Sequence, residues 1–145
     1  MTAHQVKENE MLNSTINFLK DSGLPYKDIS LEKSLLFSYL DDHGNIIGSG
    51  GLEFYGPYAL LRSLAVRKDL QGKAIGKRIV NDLLEKAKEE KAIAIYLLTE
   101  TAHEYFNRLQ FHDVDRNSVP QEIRSSSEFS NVCPTSAACM MRLIR

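Results

Sequence analysis

The stretch from residue 61 to residue 80, LRSLAVRKDLQGKAIGKRIV, constrains the fold of this 145-residue chain more than any other. It is typical of a short apolar strand, a turn around residues 67–70, and a helix that opens on Gly72 and Gly76. A strand running directly into a helix start leaves several backbone N–H groups pointing at one place, where the helix dipole adds positive potential. We therefore predict a phosphate or pyrophosphate site there, with three basic residues at its rim: Lys73, Lys77 and Arg78.

Two well-known phosphate motifs do not match this stretch. The Walker pattern needs four residues between its glycines and then Lys followed by Ser or Thr. Here three residues separate Gly72 from Gly76, and Lys77 precedes Arg78. The dinucleotide fingerprint needs its glycines directly after a first strand, whereas the glycines of residues 48–51 lie inside a predicted strand.

The composition predicts one globular domain over residues 1–145. A net charge of -1 argues against nucleic-acid and membrane-surface partners, because neither would be attracted to a near-neutral surface. The N-terminus is too polar for a signal peptide, and no apolar run approaches membrane-spanning length. Two cysteines without a secretory signal indicate reduced thiols, so we expect a cytoplasmic protein.

The order of the predicted elements describes an α/β fold with one parallel crossover. Strand, helix and strand around the glycine-bearing stretch imply a parallel pair, whereas the preceding strands, joined by short turns, form an antiparallel meander. The predicted elements are a short strand or frayed end over 2–7, a helix over 8–21, strands over 35–40, 46–54 and 58–66, a helix to about residue 90, a strand over 93–99, a helix over 101–109, a short strand over 111–114, helical turns within 118–131, and a closing strand over 137–144.

Residues 71–76, QGKAIG, resemble the acetyl-CoA signature Gln/Arg-x-x-Gly-x-Gly/Ala of the GNAT N-acetyltransferase superfamily, with Ala74 at the middle glycine. The element order is similar to that family as well. The resemblance implies the GNAT fold: a mixed, mostly antiparallel sheet with a central parallel βαβ splay and helices on both faces. It also implies an enzyme that transfers an acetyl group from acetyl-CoA.

Three further stretches resemble the arsenic-resistance branch of GNAT acetyltransferases: residues 59–66 (ALLRSLAV), 97–102 (LLTETA) and 128–137 (EFSNVCPTSA). This narrower resemblance implies a small-molecule amine as acceptor, such as an arsenical or phosphinic amino acid. The closing strands leave open whether the chain forms a homodimer.

The family resemblance implies that acetyl-CoA lies between the strand ending at Val66 and the strand ending near Thr99. Backbone groups of residues 64–66 would pair with the pantetheine arm and polarise the thioester carbonyl, and those of residues 71–76 would hold the pyrophosphate. The implied coenzyme-binding residues are Leu64, Ala65, Val66, Gln71, Gly72, Lys73, Ala74, Ile75, Gly76, Lys77 and Thr99.

The catalytic residues are less well defined by the sequence. The family's usual acid is a tyrosine at the position of Phe106, which has no proton to donate. Tyr105 is adjacent but is rotated by roughly 100° on a helix, so an aromatic packing role competes with an acid role. Glu53 is the predicted general base, against a solvated edge carboxylate or a water that takes the proton.

Arg62 interrupts an apolar strand, so its guanidinium needs an anionic partner. We predict a substrate-binding role, with an internal salt bridge to Glu53 as the competing interpretation. The histidines are interpreted as structural or solvated, and no cluster has zinc-ligand spacing. Three functions remain open: an active small-amine N-acetyltransferase, a GNAT-fold module that binds coenzyme without transfer, and an arsenic or redox sensor built on Cys133 and Cys139.

Overall fold

The protein is built around one seven-stranded sheet with the strand order β1-β2-β3-β4-β5-β7-β6, and the computed structural model describes residues 1–129 and 136–144. All neighbouring strands pair antiparallel except β4 and β5, which are parallel. The parallel pair confirms the predicted strand–helix–strand crossover. The strands are β1 (Thr2–Gln5), β2 (Ser34–Leu40), β3 (Ile46–Tyr55), β4 (Tyr58–Val66), β5 (Ala94–Thr99), β6 (His112–Asp113) and β7 (Ala138–Leu143).

The helices fall close to their predicted positions. The N-terminal end of the chain forms a strand, not a frayed end, and most element boundaries shift by one or two residues. The described α-helices are α1 (Asn9–Asp21), α2 (Ile75–Glu89), α3 (His103–Arg108) and α4 (Gln121–Arg124), with 3₁₀ turns at Lys68–Leu70 and Arg116–Ser118.

Two glycines of β3 let α2 lie directly against one face of the sheet. A Cβ atom at Gly48 would come within 2.6 Å of Ile79, and one at Gly50 within 2.7 Å of Leu83. Both distances are too short for carbon atoms, so a side chain at either glycine would force the Ile79 or Leu83 side chain to move. Ile79 and Leu83 are fully buried in this contact, together with Leu61 of β4.

The opposite face of the sheet carries α1 and a second apolar cluster. Ser38 of β2 points to that face, where its hydroxyl shares a 2.6 Å hydrogen bond with Thr15 of α1. The second cluster packs Ile123 and Phe129 against Leu60 of β4, and it also contains Ala94, Tyr96, Val119 and Cys139. Helices on both faces confirm the fold class that the sequence predicted.

Strands β4 and β5 part after three residue pairs. Their register pairs Tyr58 with Ala94, and the last pair joins Leu60 to Tyr96. Strand β4 continues from there to Val66, and β5 runs on to Thr99 beside β7. Six residues of β4 therefore have no partner on the β5 side, and the two strands open into the predicted splay.

Candidate active site

The segment between β4 and α2, residues 71–76, presents a row of unused backbone donors. From Gly72 to Lys77, no backbone N–H group donates a hydrogen bond to another of the described residues. The first helical bond is the one from the Arg78 N–H to the Ala74 carbonyl, at 3.2 Å. Unused donors at the positive end of a 15-residue helix are the arrangement that favours an anion, and the predicted phosphate site at this position stays a prediction.

Two residues give this 71–76 loop its shape through left-handed backbone conformations. Gly72 has φ +83°, and Ala74, which precedes α2, has φ +64°. Ala74 thus adopts the conformation that a glycine takes more easily. The side-chain amide of Gln71 donates to the Val66 carbonyl at 3.1 Å and ties the loop to the end of β4. The basic side chains Lys73, Lys77 and Arg78 are exposed around the loop.

A bulge in β4 shapes the edge that faces the splay. Ser49 pairs with Ala65 and Gly51 with Arg62, so two residues of β4 lie opposite one residue of β3. Ser63 has φ +61°, and its carbonyl accepts a buried 2.7 Å hydrogen bond from the Ser49 hydroxyl. This bulge was not predicted, because serine at positive φ has no local sequence pattern.

Beyond the bulge, alternate residues of β4 direct their backbone groups into the splay. The Arg67 N–H donates to the Ile47 carbonyl of β3 at 2.9 Å. Backbone direction alternates along a strand, so the polar groups of Leu64 and Val66 point away from β3. Ala65, predicted with them, pairs with β3 instead. At the end of β5, the Thr99 hydroxyl accepts a 2.9 Å hydrogen bond from the Ala102 N–H and shapes the entry to α3.

Tyr105 and Phe106 point in different directions from α3. Phe106 is buried in the core, with its ring 5.6 Å from that of Phe111. Tyr105 is half-buried and its hydroxyl lies against Gly76, so closely that a Cβ atom at Gly76 would overlap with it. Burial raises the pKa of Tyr105, which keeps the hydroxyl protonated. Of the two aromatic residues, Tyr105 is therefore the one that carries a proton beside the 71–76 loop.

Arg62 lies in the middle of β4, two residues past the last pair with β5, and its guanidinium is held by carboxylates from distant segments. Its two NH groups donate to Asp28 at 2.6 and 2.7 Å, and one of them also donates to Glu53 at 3.1 Å. The competing interpretation from the sequence, an internal salt bridge with Glu53, describes this contact; Asp28 was not anticipated. Burial would lower the pKa of Arg62, but these carboxylates together with Glu128 keep it above its usual range.

Every oxygen of Asp28 and Glu53 has a hydrogen-bond donor. Asp28 also accepts from Ser127 at 2.6 Å, and Glu53 accepts from Tyr55 at 2.6 Å. Burial alone would raise the pKa of Asp28. The hydrogen bonds from Arg62 and Ser127 lower it by more, so the pKa lies below its usual range. Glu53 is thus a buried, fully bonded carboxylate rather than a solvated edge residue, and its predicted role as a base stays a prediction.

Comparison with known proteins places the chain in a family. Residues 6–111 match the model of the acetyltransferase (GNAT) family. The chain belongs to this family.

An uncharacterised N-acetyltransferase of Chlorobaculum tepidum is 30% identical over 104 residues, which cover 71% of this chain and 64% of that relative's length. A GNAT acetyltransferase of Staphylococcus aureus Mu50 superposes with a TM-score of 0.78 at 17% identity, covering 99% of this chain and 100% of the other. An aminoglycoside 6'-N-acetyltransferase complexed with coenzyme A superposes with a TM-score of 0.75 at 16% identity, covering 100% and 98%. These structures share the GNAT fold with the chain.

Among the described residues, the histidines and the cysteine that the sequence analysis considered contribute no side chain to the splay between β4 and β5. His43 and His112 are exposed, and His103 pairs with Asp113 at 2.7 Å, which raises its pKa. Burial raises the pKa of Cys139 to about 11. Cys133 and most of the stretch 128–137 lie outside the described residues. Among the helices that are described, none is both long and apolar enough to cross a membrane.

Sequence reasoning missed Asp28, Tyr55, Ser127 and Glu128 as neighbours of Arg62. We call the four charged residues Asp28, Glu53, Arg62 and Glu128 the Arg62 cluster. They come from four separate parts of the sequence, so no spacing pattern connects them. The one available signal was Arg62 itself, because a basic residue in an apolar strand requires buried anions.

Proposed function

We propose that the protein is an acetyl-CoA-dependent N-acetyltransferase that acetylates the amine of a small molecule. The observation that carries this proposal is the splay between β4 and β5, with unused backbone donors along β4 and at the start of α2. A thioester with a pyrophosphate-linked tail has acceptors for both sets of donors: its carbonyl and amide oxygens for β4, and its pyrophosphate for the start of α2. The coenzyme A bound to the related aminoglycoside 6'-N-acetyltransferase supports this choice of cosubstrate.

The backbone binds the coenzyme in this proposal. The N–H groups of the 71–76 loop hold the pyrophosphate, and Lys73 and Lys77 add positive charge at its rim. The Leu64 and Val66 backbone groups pair with the pantetheine arm. The Leu64 N–H then polarises the thioester carbonyl where negative charge develops in the transition state.

Tyr105 donates the proton to the departing thiolate. Its hydroxyl lies at the N-terminal end of α2, and its side chain has no hydrogen-bond partner among the described residues. Phe106 occupies the position of the family's usual acid, yet it is part of the core. The shift of one residue therefore leaves a proton donor beside the 71–76 loop.

The range of acceptors is narrower if the chain belongs to the arsenic-resistance branch. We propose an arsenical or phosphinic amino acid as one candidate, on the resemblance of residues 59–66 and 97–102. The third stretch of that resemblance lies largely outside the described residues. Homodimer formation through the closing strands remains part of the same proposal and is tested by the mass in solution.

A coenzyme-binding module without transfer is the second candidate. Ala74 favours it, since its left-handed backbone is strained where the family signature has glycine. A thiol sensor is less well supported, because burial of Cys139 disfavours the reactive thiolate.

The test is the release of free CoA from acetyl-CoA, with and without a panel of small amines that includes arsenical and phosphinic amino acids. We expect amine-dependent release that is lost in Gly76→Leu, which fills the space of the Tyr105 hydroxyl. Glu89→Leu, which places the same side chain at the exposed end of α2, should keep activity. Acetyl-CoA binding without release for any amine would support the binding module instead.

A further inference from the structure

The Arg62 cluster contains two buried polar atoms without partners. Oε2 of Glu128 and Nε of Arg62 are both shielded from solvent, and neither makes a hydrogen bond within the described part of the chain. Both residues are deeply buried, with Glu128 only 5% and Arg62 only 4% exposed. A buried polar atom without a partner is costly, so such atoms point to a group that the protein binds.

The charges of this cluster do not balance. Among the described residues, three carboxylates, Asp28, Glu53 and Glu128, surround a single guanidinium, that of Arg62. Asp28 and Glu53 form salt bridges with Arg62, and their two negative charges already exceed its single positive charge. Glu128 lacks such a bond, and burial raises its pKa to about 8, with the neighbouring Glu53 and Asp28 adding to the effect. The position of Glu128 therefore favours either a proton or a bound cation.

The cluster lies beside the opening of the splay. Leu60 is the last residue of β4 that pairs with β5, and Arg62 follows two residues later on the same face of the sheet. Phe129, next to Glu128, packs against the cluster that contains Leu60 and Tyr96. The unpartnered carboxylate oxygen is thus held near the place where the two strands part.

We propose that Glu128 binds the amino group of the acceptor and takes its proton before acetyl transfer. This inference rests on the proposed function, and it assigns the acceptor class: a primary amine that arrives as a cation. The ammonium group would supply the missing positive charge beside the three carboxylates. It would also donate a hydrogen bond to the unpartnered Oε2.

The protons balance in this sequence. The ammonium ion R–NH₃⁺ gives one proton to Glu128, and the neutral nitrogen attacks the thioester carbonyl carbon. The new N–C bond forms and the C–S bond breaks. Tyr105 gives its proton to the departing CoA sulfur. The second proton leaves the nitrogen as the amide forms and restores the Tyr105 hydroxyl. Glu128 then releases its proton to solvent.

Two simpler interpretations compete with this proposal. A metal ion would also neutralise the carboxylates, but the described residues contain no group of three or more side chains arranged to hold one. Alternatively, Glu128 pairs with the Arg62 Nε through a small side-chain movement and has no ligand. The second interpretation predicts that Glu128 does not respond to amines, which makes it testable.

The first experiment measures CoA release against pH for wild type, Glu128→Gln and the control Glu122→Gln. Glu122 is exposed on the nearby α4, so its substitution changes the charge equally without touching the cluster. For wild type we expect kcat/KM for the amine to rise through about pH 8, the pKa of Glu128, and to fall above the amine's own pKa.

In Glu128→Gln we expect kcat/KM for the amine to fall on the order of 10²-fold at pH values below the amine's pKa. The remaining rate should rise with pH until the free amine predominates. The KM for acetyl-CoA should not change. Glu122→Gln should retain the wild-type profile. An unchanged profile in Glu128→Gln would overturn the proposal while leaving the proposed function intact.

The second experiment follows Glu128 without any turnover. The ¹³C signal of its side-chain carboxyl, assigned by its absence in Glu128→Gln, is titrated with pH in the presence of butylamine or of butan-1-ol. A bound ammonium group should lower the titration midpoint, whereas the alcohol should not. If none of the amines in the panel moves the midpoint, the inference is wrong, even if some of them are acetylated. If midpoints move but no amine is acetylated, the proposed function fails and Glu128 remains an amine-binding residue.

Discussion

The 71–76 loop and the Arg62 cluster are both connected to β4, yet they use opposite means to hold charge. The loop is exposed and offers backbone N–H groups that have no partner among the described residues. The cluster is buried, and most of its charged atoms are already bonded to one another. The loop therefore leaves its backbone donors open to solvent, whereas the cluster encloses an excess of negative charge.

This difference has an energetic consequence. Removing a side chain from the exposed loop should lower the free energy of unfolding little, because water takes its place. Removing the Arg62 guanidinium leaves the carboxylates of the cluster without a counter-charge in a largely buried place. We therefore expect substitutions in the cluster to affect stability first, and substitutions in the loop to affect coenzyme binding first.

The largest effect is expected for Arg62→Leu. Loss of the guanidinium leaves the buried Glu53 and the half-buried Asp28 without a counter-charge, which should lower the free energy of unfolding by about 3 to 5 kcal/mol. The matched control is Arg67→Leu, which breaks the exposed 2.7 Å pair with Asp69 and should change stability little. Urea unfolding measures both. Equal effects in the two variants would contradict the contrast between cluster and loop.

A second prediction concerns pH. The pKa of Glu128 is raised from 4.5 to about 8, so the folded state keeps a proton that the unfolded chain has lost. Stability should therefore fall as pH rises from about 5 to 8, by on the order of a few kcal/mol. Glu128→Gln should remove this fall, and the difference between the two proteins cancels the contribution of His103. Parallel curves of melting temperature against pH would show that Glu128 titrates normally.

The third prediction tests why Gly76 lacks a side chain. In Gly76→Ala the new methyl group overlaps with the Tyr105 hydroxyl, and we expect a loss of about 1 to 3 kcal/mol. A second change, Tyr105→Leu, should restore much of this stability because it removes the obstructing atoms. The control Gly72→Ala meets no atom within 4 Å, and its strain comes only from φ +83°. Its loss should therefore not respond to Tyr105→Leu in a double-mutant cycle.

The smallest effect is expected for Ala74→Gly. Ala74 holds a left-handed conformation, and glycine there removes a strain that exceeds glycine's own entropic cost by about 0.5 to 1 kcal/mol. Thermal unfolding should show a slight increase in stability. Calorimetric titration with acetyl-CoA should show equal or tighter binding. Weaker binding would mean that the alanine methyl contacts the coenzyme favourably.

The sequence was sufficient for the fold and for the loop because both depend on local patterns. The periods of apolar residues located the strands and helices to within one or two residues at most boundaries, and the crossover length implied the parallel pair. The loop motif was recognisable because the turn, the glycines and the helix start are contiguous in the chain. Local backbone chemistry needs no knowledge of the rest of the protein.

The tertiary structure decided what the side chains do. It turned Tyr105 toward Gly76 and Phe106 into the core, a choice that depends on how α3 is rotated against the sheet. It introduced the bulge at Ser63, supported by a hydroxyl from another strand. It also assembled the Arg62 cluster from residues up to 100 positions apart, Asp28 and Glu128 among them. Buried electrostatics depends on such long-range neighbours, and for that reason the sequence predicted that Arg62 needs an anion but not which residues supply it.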